Sequence, residues 1–364
     1  MNSELLLLVV TTPILVFLWM LMTRKANILD KPWPDVPQRE RVPTAQGLFL
    51  LVIVFVYTLL RRPEDLSLGI GEHFTWLRLG IFLIAGVTLI DELGRIYHPS
   101  LRISAHVRLF VQSVAGILAF LVSDIWISEI LLPGGILLTF GTVTTLILTV
   151  AWFWLFVNAI NRFDGIYGLA SWMSSIGFLT LRLLIGVVVL TVYDGMSVER
   201  VALLQWVQRY AVVFLVLAVC ATVMEFRPSG LVRDVGTMTF GFVLAYLSLL
   251  WWAKIGTMMV VLMLPLFDAI RVIIDRVFRR KVHPFKGDFT HLHYRLLALW
   301  RSRTEARCTI RGISLVFMVL MLLQWADKIG KILIFVMMAC LFFGLNRYLF
   351  RKKGLPSEYR RKKQ

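Results

Sequence analysis

The chain alternates long apolar runs with short polar interruptions. The runs are too long and unbroken for a half-buried strand or for the one-sided stripe of a soluble helix. Apolar windows fall at about 4–22, 46–60, 74–90, 106–123, 142–160, 168–190, 207–224, 236–252, 255–275, 309–325 and 330–346. A helix of about 20 apolar residues crosses a hydrocarbon core, so the pattern predicts an all-α polytopic membrane protein with about 11 transmembrane helices. The first window has no basic leader and no small-residue cleavage site, and is expected to be a retained span. No internal repeat and no low-complexity linker divides the chain. A single transmembrane domain over 1–346 is expected, followed by a basic cytoplasmic tail over 347–364 that is expected to be disordered.

Composition agrees: 58% of residues are hydrophobic and the mean hydropathy is +0.77, more apolar surface than one soluble core could bury. A formal charge of +17 suggests nucleic acid at first sight. The Lys and Arg, however, lie mainly in short loops between apolar windows, which is the positive-inside arrangement, so membrane lipids and not nucleic acid are the expected partner. Arg24 and Lys25 directly after the first window put the N-terminus outside. The inside loops are then 24–45, 91–105, 161–167, 225–235 and 276–308, with the tail from Arg347 also inside. The outside loop 124–141 has no Lys or Arg. Cys220, Cys308 and Cys340 are widely spaced in or beside apolar windows, and read as packing residues and not as a disulfide framework or metal site.

Four polar clusters interrupt the pattern, each at an inside end of a window. Asp91-Glu92 follows the run I-F-L-I-A-G-V-T-L-I. Alone it reads as a solvated helix end, where the helix dipole disfavours acids. Asn158 to Leu169, N-A-I-N-R-F-D-G-I-Y-G-L, spaces Asn158, Asn161 and Asp164 three apart, near one face if helical geometry persists. Their oxygens are hard ligands that suit Mg²⁺, which bridges one or two protein groups to substrate phosphates. A plain helix C-terminal turn is the alternative. Arg233-Asp234-Val235-Gly236-Thr237 opens an apolar run and puts Asp234 at a helix N-terminus, where an ordinary N-cap is the simpler reading. The last cluster, H-P-F-K-G-D-F-T-H-L-H-Y-R over 283–295, sets Asp288, His291 and His293 amid Arg276, Arg279, Arg280, Lys281, Lys286 and Arg295. An H-x-H pair with a carboxylate can bind zinc. The basic surroundings suit phosphate anions better, and a solvated basic loop is the plain alternative. Together the clusters point to a cytoplasmic site for a metal-bound, multiply anionic substrate, as in phosphoryl transfer at the membrane surface.

At these residues the chain resembles the polyprenyl-phosphate N-acetylhexosamine-1-phosphate transferases, glycosyltransferase family 4. Asp91-Glu92 sits where the family has paired aspartates, followed by R-L-x-x-Q as Arg108, Leu109 and Gln112. N-A-I-N-R-F-D-G is similar to N-A-x-N-x-x-D-G, and Arg233 to Thr237 to G-D-x-G-S. Pro265, Asp268 and Arg276 match P-x-x-D with a downstream Arg, while Pro284-Phe285, Asp288, His291 and His293 match P-F-x-x-D-x-x-H-x-H-H. The resemblance covers roughly 24–300. It implies that Asn161 and Asp234 hold Mg²⁺ at the pyrophosphate of a UDP-sugar. It also implies catalytic roles for Asp91, Glu92 and Asp164, with Asp91 orienting or deprotonating the phosphate of a polyprenyl (undecaprenyl) acceptor. Asn158, Tyr167, Arg276, Asp288, His291 and His293 would bind substrate. The implied reaction is transfer of a sugar 1-phosphate with release of UMP. It would be the first lipid-linked step of cell-envelope glycan synthesis, at the cytoplasmic face of the cell (inner) membrane. A homodimer is left open. The chain departs from the pattern at Glu92 for Asp, Arg233 for Gly, Tyr294 for His, Gln46 for Gly, and Tyr167 for the Asp or Asn used toward uracil. Altered nucleotide or sugar choice, or a non-catalytic binding or regulatory homologue, are therefore the alternatives.

Overall fold

The computed structural model describes residues 3–28, 46–60, 70–97, 99–123, 125–131, 136–192, 196–226, 230–250, 255–282, 290–299, 302–324 and 328–352. Thirteen α-helices account for nearly all of them. In chain order they are α1 (Ser3–Lys25), α2 (Gln46–Leu60), α3 (Ile70–Ile96), α4 (Ala105–Val122), α5 (Thr142–Arg162), α6 (Leu169–Val192), α7 (Val198–Phe226), α8 (Arg233–Leu249), α9 (Ile255–Val261), α10 (Met263–Ile274), α11 (Leu292–Leu299), α12 (Arg303–Leu323) and α13 (Lys328–Lys352). The protein is all-α and polytopic.

Every apolar window coincides with a helix, but the span count differs from the expected 11. Among the described residues 8 helices are long and apolar enough to cross a membrane, namely α1, α3, α4, α5, α6, α7, α12 and α13. The window 255–275 is not one rod: α9 and α10 meet at an angle of 84° around Leu262, and counting that pair as one broken span gives 9. Pro265 lies in the first turn of α10, where its missing N–H costs no helix bond. The remaining windows form shorter helices, α2 with 15 residues and α8 with 17.

Helix α8 is the axis of the molecule. Every residue from Val235 to Leu249 is buried, and it packs on α2, α3, α5 and α6. A helix apolar on all sides is one surrounded by protein. Its contact with α5 is backbone to backbone: a Cβ on Gly241 would lie 2.7 Å from the carbonyl oxygen of Phe156. Small residues allow such approach between membrane helices. At the far end Tyr246 donates to the His73 carbonyl and lies 3.0 Å from Ser123 Oγ.

Three further details depart from the sequence pattern. The loop 124–141, expected to lie outside, contains a small antiparallel hairpin, β1 (Glu129–Leu131) with β2 (Leu137–Thr139), in register Ile130 opposite Leu138. Helix α13 continues to Lys352, six residues into the expected basic tail, and 353–364 lie outside the described residues. All three cysteines are free, and Cys308 and Cys340 face outward where packing was expected.

Candidate active site

The polar clusters meet at one end of the bundle because the ends of α3, α5, α7 and α10 converge there with the starts of α4, α6, α8 and α12. Helix α3 runs past the apolar window to Ile96, so Asp91 and Glu92 are not a solvated helix end. They are 4% and 5% exposed, inside the last two turns. The Asp91 carboxylate accepts from Arg95 Nη2 at 2.8 Å, Arg108 Nη1 at 3.3 Å and the Ile103 N–H at 2.9 Å. Asp234, in the first turn of α8, is not its N-cap; that position is Val232, which makes no side-chain cap bond. Its Oδ2 instead accepts from the same two arginines, Arg95 Nη2 and, at 3.3 Å, Arg108 Nη1. Two acids from distant parts of the chain thus share two guanidinium groups. Each arginine offers several planar donors, which is why it can serve both carboxylates at once.

Helical geometry does persist through the asparagine motif. Asn158 and Asn161 occupy the last turns of α5, and Asp164 follows in a 3₁₀ turn, Phe163–Gly165. Asn161 Oδ1 accepts from Thr237 Oγ1 at 2.7 Å, which brings it against the first turns of α8, one helical turn from Asp234. Asn158 is used differently: its amide donates to Gln112 Oε1 at 2.7 Å and to the Trp154 carbonyl at 2.8 Å, fastening α5 to α4.

The histidine segment is organised by Asp268. This fully buried carboxylate on α10 takes Arg271 Nη2 at 2.7 Å, the Leu292 N–H at 3.0 Å and His291 Nδ1 at 2.7 Å. Because the carboxylate only accepts, His291 carries its proton on Nδ1 and turns Nε2 away from Asp268. His293 is also fully buried, edge-on to the Phe163 ring at 5.3 Å and 4.1 Å from the Tyr294 ring. Burial, reinforced by neighbouring His291, pulls its imidazole down to about 3, so it is neutral at physiological pH. Among the described residues, His291 Nε2 and both His293 nitrogens have no hydrogen-bond partner. The asparagine motif reaches this group through Gly165. A Cβ there would lie 2.2 Å from His293 Nε2 and 2.5 Å from the Tyr294 hydroxyl, a gap that only glycine fits. Arg276 is buried in a π-helical turn, Asp275–Arg280. Asp288 lies outside the described residues.

Tyr167 is half-buried in the turn between Gly165 and α6. Its carbonyl faces Arg307 of α12 at 3.4 Å. Of the expected residues, the contacts bring together Asp91 with Asp234, Asn161 with the start of α8, and the 3₁₀ turn beside Asp164 with His293. Sequence reasoning missed that Arg95, Arg108, Asp268, Arg271 and Thr237 make these connections. Arg95 at i+4 from Asp91 and Arg271 at i+3 from Asp268 were readable helix-face pairs; the links through Arg108, through Thr237 and from Asp268 to His291 are long-range.

The donors near Asp234 are a carboxylate, a carboxamide and a hydroxyl, all oxygen. Such a set suits Mg²⁺, which needs only one or two protein groups beside water and phosphate. No cluster of three His, Cys, Asp or Glu able to close a metal site occurs among the described residues.

Residues 74–252 match the family model described as glycosyl transferase family 4. Over this segment, just under half of its length, the chain is similar to glycosyl transferase family 4. The segment holds Asp91, Asn161, Asp234 and the two bridging arginines. A relative from Bacillus subtilis (strain 168), named "Probable undecaprenyl-phosphate N-acetylglucosaminyl 1-phosphate transferase", is 29% identical over 183 residues. That match covers 47% of this chain and 45% of the relative, so the chain spans less than half the length of the curated relative it matches.

Proposed function

We propose that this protein transfers a sugar 1-phosphate, of N-acetylhexosamine type, from a UDP-sugar to a polyprenyl phosphate and releases UMP. The observation that carries the reading is the sharing of Arg95 and Arg108 by Asp91 and Asp234, with Asn161 drawn to the same helix start by Thr237. The activity named for the Bacillus relative supports the same class of reaction.

In this reading Asn161 and Asp234 hold Mg²⁺, which would neutralise charge on the donor diphosphate. Arg95 and Arg108 offer cationic donors to phosphate oxygens from the side of α3 and α4. Asp91, fixed by three hydrogen bonds, orients the acceptor phosphate. Proton abstraction is not demanded of it, because a phosphate monoester with a second pKa of about 6 is already largely dianionic at neutral pH. Neutral His293 has one ring N–H that no described protein group uses and that suits a phosphate oxygen, while His291 Nε2, left as an acceptor, suits a hydroxyl of the donor. The seam between α3, α4 and α8 beside Arg108, lined by Ile84, Val87, Thr88, Val111, Gln112 and Met238, is closed, so a prenyl chain entering there would have to part the helices. Positioning and charge neutralisation then supply most of the rate.

The test uses purified protein in detergent with polyprenyl phosphate, Mg²⁺ and a panel of UDP-sugars, with UMP release as the readout. UMP is expected only when acceptor and a suitable donor are both present, and Asp234→Ala should abolish it. No UMP from any donor, with wild type and Asp234→Ala alike, would sink the transferase reading. Tyr167, standing where a carboxylate or carboxamide is expected, favours a donor choice different from that of relatives with Asp there. Turnover that rises in Tyr167→Asp would count against that.

A further inference from the structure

A second polar construction lies beside Tyr167, built by residues that no part of the transfer chemistry uses. Arg307 and Arg311 are one turn apart on the first half of α12 and point at the same place. Arg307 is 8% exposed, and its Nη1 donates to the Phe226 carbonyl at 3.2 Å and lies 3.4 Å from the Tyr167 carbonyl. Its guanidinium sits 4.5 Å from the centre of the Phe226 ring. Arg311 Nη2 donates to the Gly168 carbonyl at 2.8 Å, between the rings of Trp172 at 5.1 Å and Phe226 at 5.5 Å. Trp172 in turn donates to Ser314 Oγ at 3.0 Å, pinning α6 to α12. Neither arginine forms an ion pair with a carboxylate among the described residues. Two like charges one turn apart are unfavourable on a helix, more so when desolvated.

What offsets that cost is the backbone they hold. Phe226 O is the last carbonyl of α7, an acceptor with no helical partner, and a guanidinium is a natural cap for it. A planar fork can hold that carbonyl and the neighbouring Tyr167 carbonyl with one nitrogen, which no apolar side chain could do. Gly168 has φ +68°, and a Cβ on it would lie 3.0 Å from Arg311 Nη2 and 3.3 Å from the Glu225 Cβ. Glu225, fully buried, closes the other side: it accepts from Ser171 Oγ at 2.7 Å and from the Val232 N–H at 3.0 Å, two residues before Asp234. The Tyr167-Gly168 turn therefore has both its carbonyls tied to α12, and the start of α8 is tied to the end of α7. Helix α12 lies outside the segment that matches the family.

We infer that Arg307 and Arg311 are positioning residues that fix the Tyr167 turn, and through it the donor-binding side of the site, while Glu225 braces the same turn against the start of α8. The inference rests on the transferase reading for its kinetic half only. Two measurements on the full-length protein in detergent decide it. The first is hydrogen exchange over residues 163–171 in wild type, Arg311→Met and Arg311→Lys. Faster exchange confined to this turn is expected in Arg311→Met, with Arg311→Lys between it and wild type, because lysine keeps one donor on a similar stem. The second is steady-state UMP release. Donor KM should rise about 10-fold or more in Arg311→Met, as befits a lost charged hydrogen bond, with kcat and the acceptor KM changed less than about 2-fold and partial rescue in Arg311→Lys. Unchanged exchange in the turn overturns the brace. A fall in kcat at unchanged donor KM overturns the donor-side role. A wild type that releases no UMP from any donor is a failure of the transferase reading and removes the donor-side role with it, while the exchange measurement still decides the brace.

Discussion

Asp91 and Asp234 each gain their partners from the same pair of arginines, so neither acid can be altered without leaving a guanidinium under-compensated. The arginines are partly exposed, and solvent screening keeps the stability share of these pairs small. Their effect belongs mainly to function. Gly165 is the sharper steric probe. Gly165→Ala forces a Cβ into His293 and Tyr294, and is expected to cost about 1–3 kcal/mol of stability and to displace the histidine. Thermal unfolding and UMP turnover should fall together, and an unchanged variant would refute the packing described. His293 supplies a pH prediction. Its folded pKa of about 3 lies below the usual histidine value. The folded state therefore resists a proton that the unfolded chain accepts. Its contribution is complete above about pH 6.5 and is lost as pH falls from there toward about 3. His293→Phe should narrow the gap between apparent unfolding temperatures at about pH 7 and pH 5; an unchanged gap would contradict a buried neutral imidazole. The candidate residues could be picked out from the sequence because carboxamides, acids and histidines are rare beside apolar runs. Their partners could not, since Arg95 and Asp234 stand 139 residues apart and Arg311 and Gly168 143 apart.

At the level of elements, the start of α8 carries a cost. Arg233 has φ 57°, in the left-handed region where a Cβ is unfavourable by about 1–2 kcal/mol. The resembling family has glycine there. Comparing Arg233→Gly with Arg233→Ala removes the same guanidinium twice and isolates the backbone effect. The glycine variant is expected to be the more stable by about 1 kcal/mol, read from the unfolding midpoint. Equal midpoints would mean that the turn relaxes out of the left-handed region. All apolar windows became helices because a helix satisfies its backbone within the segment itself, as a long unbroken apolar run in lipid requires. Their ends were less legible. Helix α3 outruns its window because Asp91 and Glu92 find protein partners and need no water. The 84° break at Leu262 carries no mark in hydropathy, since both halves are apolar. The β1–β2 hairpin is too short to print a strand period.

For the whole molecule, the central helix α8 joins core and site: its flanks are buried by α2, α3, α5 and α6, and its first turn presents Asp234 to the arginines and Thr237 to Asn161. Single-ended clustering of charge was legible from the order of windows and loops, because every polar cluster fell at the same side in an alternating topology. That the clusters touch was not, since contact depends on how helices pack laterally. The most direct test of one shared site is a cycle of Asp91→Asn, Asp234→Asn and the double variant, each assayed for UMP release with polyprenyl phosphate and the best UDP-sugar. Groups acting as one unit are strongly non-additive. A shared site predicts that wild type turns over, each single variant loses on the order of 100-fold or more, and the double variant loses about as much as the worse single. Losses that multiply, or a wild type without turnover, would contradict it.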